Sequence, residues 1–274
     1  MKTLIKIAAV LTLFVAAPAF AGKGGSSAKI RSAVASGSVD AILAEVERAE
    51  KLMCSDCIGV MTNLTEHARY EVRNVAAWWF AKRPALHKLM AEQFGDELAG
   101  GNSLAVRNAA DFLGASNTLT ALPALRTAIR RDVDANAKVA IVRAVRLLGH
   151  NGGNAVLTYA MTDSSPAVRA AAVSAWREIL GQTDASPAVP LLGDSDAMVR
   201  AEAATVVGGM RQANATSALE GLVVNDADAV VRRNAAWALG RIGSSSSRAA
   251  LAQASNDKSG LVRMTAKAAV AQLR

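Results

Sequence analysis

The chain has only two cysteines, Cys54 and Cys57, in the stretch MCSDCIG. A C-x-x-C pair supports three chemistries. It closes a short disulfide in an oxidising compartment, acts as a reactive dithiol where a βαβ unit lowers a thiol pKa, or supplies half of a zinc site. Covalent c-type haem is excluded because Ile58, not His, follows the second cysteine. For zinc, the other ligands would be His67, ten residues past Cys57, and His87, twenty further on, and these spacings match no standard finger. No stretch alternates with period two for long enough to make a strand, so the βαβ context of a redox dithiol is missing. The simplest reading is a structural disulfide, with no metal and no cofactor. An accessory enzyme or redox or metal factor using Cys54 and Cys57 is the alternative.

A second set of chemistry-bearing residues recurs in phase. Basic residues stand at Arg73, Arg107, Lys138, Arg169, Arg200, Arg232 and Arg263, and from Arg107 onward the steps are 31, 31, 31, 32 and 31 residues by subtraction. Six residues before each of the last five stands an acid: Asp132, Asp163, Asp194, Asp226 and Asp257. One pair per period at constant phase suits a structural ladder, in which a guanidinium bridges to the turn carboxylate of its own or the adjacent unit. Exposed pairs stabilise by no more than about 1 kcal/mol, too little to explain such regularity. No nucleophile, phosphate loop or paired-carboxylate constellation stands out, so an enzyme is the weaker class.

The elements that position these residues are helix pairs. In TSALEGLVVNDADAVVRRNAAWALGRIG a short apolar helix begins near Thr216, a polar NDAD turn follows, and a second helix runs from about Ala229 to Ile242. Val231, Ala235, Leu239 and Ile242 form one apolar stripe, Asp226 or Asp228 can cap the start, and Gly243 can end it. A pair this small cannot bury both its stripes alone, so neighbours must stack and share one core. Abundant Ala lets the helices approach closely, which fits an aromatic content of only 4%. The amphipathic SVDAILAEVERAEKLM within residues 28–53 is expected to cap the N-terminal end, leaving residues 54–274 as the array.

Units of the form D…VRxxAAxALG, as in Asp226 to Gly240, resemble HEAT-like repeats of the bilin-lyase type over about Cys57 to Arg274. The resemblance implies an all-α, right-handed α-solenoid of about seven HEAT-like helix pairs whose second helices line the concave face. The Arg107 unit departs from the pattern, with GGNS in place of the paired Asp, and the Lys138 unit replaces Arg by Lys. Deoxyhypusine hydroxylase, which also uses such repeats, binds iron through paired His-Glu motifs. This chain has only the reversed Glu66-His67, and His87 and His150 have no adjacent acid. The family pattern places a solvated Glu five residues after the ladder Arg. Counted that way, the positions here are Trp78, Phe112, Arg143, Ser174, Thr205, Trp237 and Ala268. Trp78, Phe112, Arg143 and Trp237 are therefore the expected partner-binding residues, whereas Trp176 falls at a core position. At roughly 8 to 10 Å per helix layer Trp78 and Trp237 stand about 40 to 50 Å apart, too far to form one small-molecule cage.

The N-terminal MKTLIKIAAVLTLFVAAPAFA combines Lys2 and Lys6, an apolar run from Ile7 to Ala17, and small residues at Ala19 and Ala21. It reads as a signal peptide over residues 1–21, followed by a flexible leader over residues 22–27. The run is shorter than the roughly 20 residues that span a bilayer, so no membrane insertion is expected after cleavage. Losing two lysines takes the formal charge from +8 to +6. No basic run with interleaved aromatics occurs, so nucleic acid is not the expected partner. Export to the periplasm or beyond also argues against bilin attachment. The sequence is read as an exported, non-catalytic scaffold that binds another protein.

Overall fold

In the computed structural model the described residues are 26–52 and 55–273. The signal peptide, most of the leader, and Cys54 lie outside them. Every regular element among the described residues is helical. The first pair is α1 (Ser27–Ser36) and α2 (Val39–Arg48), followed by α3 (Ser55–Leu64) with α4 (Tyr70–Ala81) and α5 (Pro84–Gly100) with α6 (Ser103–Ala115). Next come α7 (Leu122–Ala128) with α8 (Ala135–Leu148) and α9 (Asn154–Ala160) with α10 (Pro166–Trp176). The array closes with α11 (Ala197–Gly209), α12 (Thr216–Asn225) with α13 (Ala229–Ile242), and α14 (Arg248–Ala254) with α15 (Gly260–Val270). Ser26 caps α1, so the helical cap begins just before the expected Ala28.

The second helices α2, α4, α6, α8, α10, α11, α13 and α15 each pack on the next, and the first helices form an outer layer against them. This is an α-solenoid in which each pair contacts its sequence neighbours. One first helix is missing: residues 186–193, SPAVPLLG, form a 3-10 run instead. Pro190 lies inside it and removes the N–H that an α-helix would need there.

The local signals act as their chemistry requires. Asp228 Oδ1 accepts from Val230 N and Val231 N at 2.7 and 3.2 Å and starts α13, which ends at Gly243 with φ 78. Val231, Ala235 and Leu239 are fully buried in the shared core. Second helices come so close that a Cβ on Gly208 would stand 2.5 Å from Ala238 Cα, and one on Gly114 would stand 2.5 Å from Ala144 Cα. Only glycine fits there. Small residues thus set the helix spacing, and the larger side chains gather near the N-terminal end. There Trp79 meets Phe80 edge-on at 5.2 Å, and Phe112 packs on Phe80 at 5.9 Å and on Phe94 at 4.6 Å.

The α1–α2 pair is fastened by two buried side chains. Trp79 Nε1 donates to Ala49 O at 3.0 Å. Arg83 stacks 3.5 Å from the Trp79 ring and donates to the carbonyls of Glu50 and Leu52 at 2.6 and 2.9 Å. A cation over these carbonyls, just past the C-terminal end of α2, complements the helix dipole. Burial lowers the Arg83 pKa to about 10.

Candidate functional site

The ladder residues lie at the turns between paired helices, and each tie crosses to the following repeat. Arg200 Nε and Nη2 donate to Asp226 Oδ2 and Oδ1 at 2.7 and 3.0 Å, while Nη1 donates to the carbonyls of Asp194 and Ser195 in its own turn at 2.8 and 3.1 Å. Arg169 binds Asp194 and Arg232 binds Asp257 in the same fork geometry, and Lys138 Nζ reaches Asp163 at 2.7 Å. The carboxylate does a second job. Asp226 Oδ1 also accepts from Asp228 N at 2.8 Å, which presents Asp228 to cap the next helix. Sequence, turn and stacking are thereby joined in one rung. At the far end Arg263 keeps only the carbonyls of Asp257 and Lys258, among the described residues.

Two expected ladder members do not take part. Asp132 is exposed, and the side chain that starts α8 is Asp134, accepting from Ala137 N at 2.8 Å. Arg107 donates to Asn108 Oδ1 at 3.1 and 2.9 Å, as Arg233 does to Asn234 Oδ1. Arg107 therefore corresponds to Arg233, one residue past the ladder, and buried Val106 stands at the rung. Arg131 supplies the tie from the other side, donating to Leu98 O and Gly101 O at 2.7 Å each.

This shift of one residue corrects the partner-binding row. The counterpart of Trp237 in α6 is Asp111, and Phe112 faces the core at 1% exposure. Asp111 is buried and held by two cations, Arg73 Nη2 at 2.5 Å from the preceding repeat and Arg143 Nη1 at 2.8 Å from the following one. Arg143 is thus engaged within the array, and its guanidinium lies 4.2 Å from the Tyr70 ring centroid. Burial, as the largest cause, raises the Tyr70 pKa. Sequence reading missed Asp111 and Tyr70. The signal for Asp111 was present, since RNAADFLG aligns with RNAAWALG without a gap.

Of the tryptophans, Trp237 is 39% exposed. Its ring lies against the Gly208–Gly209 floor of α11. Trp78 is partly buried, with Lys82 Nζ 5.5 Å from its centroid. Trp79 and Trp176 are core residues, and Trp176 Nε1 donates to Asp184 O at 2.7 Å. Exposed apolar residues also recur at the N-terminal ends of second helices: Leu104, Met198, Val230 and Leu261. They occupy equivalent positions, two residues before the rung.

Cys57 is buried near the start of α3, and its companion Cys54 lies outside the described residues. His67 Nδ1 accepts from Arg69 N at 3.1 Å, and His87 Nε2 lies 2.8 Å from Thr118 Oγ1, its pKa lowered by burial. Among the described residues no group of three His, Cys, Asp or Glu side chains could hold a metal ion, and no helix is long and apolar enough to cross a membrane.

Residues 185–271 match HEAT repeats. No curated protein matches the sequence. Among solved structures, the fold is similar to YibA of E. coli, with TM-score 0.58, 12% identity, and 90% of this chain and 92% of that one covered. It is also similar to a chain in the Kap95p–RanGDP structure, with TM-score 0.56, 14% identity, and 89% of this chain but 40% of that one covered. The phycocyanin lyase pair CpcE and CpcF of Nostoc superposes only loosely, at TM-score 0.39 and 16% identity over 95% and 99% of the chains. The match makes residues 185–271 HEAT repeats, and the stacked helix pairs carry the same α-solenoid fold through the rest of the described residues.

Proposed function

We propose that the chain is a non-catalytic scaffold that holds another protein along its second-helix face. The observation that carries this is Trp237, a large ring 39% exposed on a glycine floor, where the two flanking repeats hold Thr205 and Ala268. An exposed aromatic on a rigid helix is what a binding anchor requires, because covering it removes apolar surface at little cost in side-chain entropy. The row Leu104, Met198, Val230 and Leu261 extends the apolar surface along the same layer. Kap95p, whose structure shares the fold, is named with RanGDP, so an array of this kind is compatible with holding a protein. Export belongs to the same proposal, with cleavage after Ala21 and Cys54 closed onto Cys57 in an oxidising compartment.

The test places a photo-crosslinking residue at position 237 in the native host and identifies what it captures by mass spectrometry. Trp237→Ala is then expected to keep the helical signal and weaken binding of the captured protein by about 2 kcal/mol, as hot-spot aromatics do. Unchanged affinity, or a captured set no different from that of a crosslinker on the outer layer, would remove the assignment. Intact mass of the exported protein is expected to begin at Gly22, and mass retaining Lys2 and Lys6 would contradict export.

A further inference from the structure

The ion-pair centre on α4, α6 and α8 is not filled by its own partners. Asp111 has one oxygen on Arg73 and the other on Arg143, so a single buried carboxylate is shared between two guanidinium groups. Arg143 uses only Nη1 in this bond, and its Nε and Nη2 have no acceptor among the described residues. Its side chain is 27% exposed, so Arg143 is reachable from solvent. Arg143 also lines a depression of about 190 Å³ between α8 and α10, whose walls are Val139, Val142 and Ala171 together with Ser174 and Glu178. Arg146 lines it too and is paired with Glu178 at 3.1 Å, so that wall carboxylate is already neutralised. The volume is below the 300 Å³ or so at which small-molecule and cofactor sites begin, and it suits one side chain. Apolar walls beside an unused guanidinium edge match a side chain with a methylene stem and a carboxylate head.

We propose that this depression binds a glutamate side chain of the protein partner, with its stem against Val139, Val142 and Ala171 and its carboxylate on Nε and Nη2 of Arg143. The proposal rests on the protein-binding reading above and adds the chemistry of the partner: an acidic segment crossing the middle of the second-helix face. The Tyr70 ring and Asp111 hold Arg143 in place. The guanidinium is thus pre-oriented, and a bidentate carboxylate bond loses little side-chain entropy on forming. Asp111 also lowers the net positive charge that the incoming carboxylate meets, so recognition depends on the fork geometry as well as on charge.

The test uses a short peptide containing Glu-Leu pairs and its Gln-Leu counterpart, followed by calorimetry at low salt and by the Arg Nε–H resonances in NMR. The Glu peptide is expected to bind about tenfold more tightly than the Gln peptide, a difference of about 1.4 kcal/mol, and to shift the Arg143 Nε–H signal. Arg143→Gln is expected to abolish the preference. So is Ala171→Leu, which fills the depression while leaving the Arg143–Asp111 bond intact and so answers for any loss of folding in the first variant. Equal affinities, no binding of either peptide, or a preference that survives both substitutions would overturn the pocket. If the pocket falls while Trp237-dependent capture persists, the scaffold reading stands. If the Glu preference is intact and crosslinking at 237 captures nothing specific, the scaffold reading falls by itself.

Discussion

Arg200→Ala breaks one rung in the middle of the array. It strips Asp226 of two charge-assisted bonds, at 2.7 and 3.0 Å, and leaves that carboxylate, only 4% exposed, with the backbone N–H of Asp228. It also removes the donor to Asp194 O and Ser195 O. Breaking a fully buried pair from one side costs about 3 to 5 kcal/mol, and exposed pairs are worth about 1 kcal/mol or less. The Arg200 side chain is 16% exposed and sits between these limits, so the expected loss is about 2 to 3 kcal/mol. Arg263→Ala is the internal control, since Arg263 is exposed and binds only its own turn, and it is expected to cost less than about 1 kcal/mol. Urea unfolding followed by far-UV circular dichroism at neutral pH measures both. In Arg200→Ala with Asp226→Ala no orphaned carboxylate remains, so the double variant is expected to cost less than the sum of the two single changes. Equal losses at Arg200 and Arg263, or strict additivity in the double variant, would refute the cross-repeat role of the rung.

Acid should reveal the same rungs. Asp194 and Asp257 are held below the ordinary carboxylate range chiefly by Arg169 and Arg232. Burial pushes Asp163 and Asp226 upward, but bonds from Lys138 and Arg200 and from backbone N–H groups outweigh it and leave both lowered. Folded values below unfolded ones give stability that is complete above the ordinary Asp pKa of about 3.9 and lost as pH falls through the folded values. Urea midpoints at decreasing pH should therefore drop below about pH 4, and less steeply in Arg200→Ala, in which Asp226 has lost its arginine partner. Phe112→Ala is expected to lose about 3 to 5 kcal/mol of stability as an emptied core aromatic, whereas Trp237→Ala should lose far less in the same unfolding assay. Comparable losses would contradict the one-residue shift in α6. Gly208→Val would drive a side chain into Ala238 at 2.5 Å, and a sharply lower thermal midpoint is the expected result. A wild-type midpoint would mean that the α11–α13 approach is not fixed by glycine.

The repeat and its helix pairs were legible in the chain because their causes are local. Asp228 before Val230, the Val231–Ala235–Leu239 stripe and Gly243 define α13 within its own residues, and stacking follows because one pair cannot bury both faces. The pairing of Asp at turn and Arg on helix was legible as a period. Whose turn carboxylate each Arg takes, its own or the next, was decided by the stacking of second helices, and each Arg keeps carbonyls of its own turn besides. Register in α6 was also within reach, since Arg107-Asn108 repeats Arg233-Asn234, but counting five residues from Arg107 as though it were the ladder Arg placed Phe112 on the surface. What no local pattern could supply is the set of contacts joining residues 30 or more positions apart. Trp79 and Arg83 close over Ala49, and Asp111 gathers Arg73 and Arg143 beneath Tyr70. A side chain's partners across helices depend on the rotation and approach of three elements at once, and those are settled only when the whole core packs.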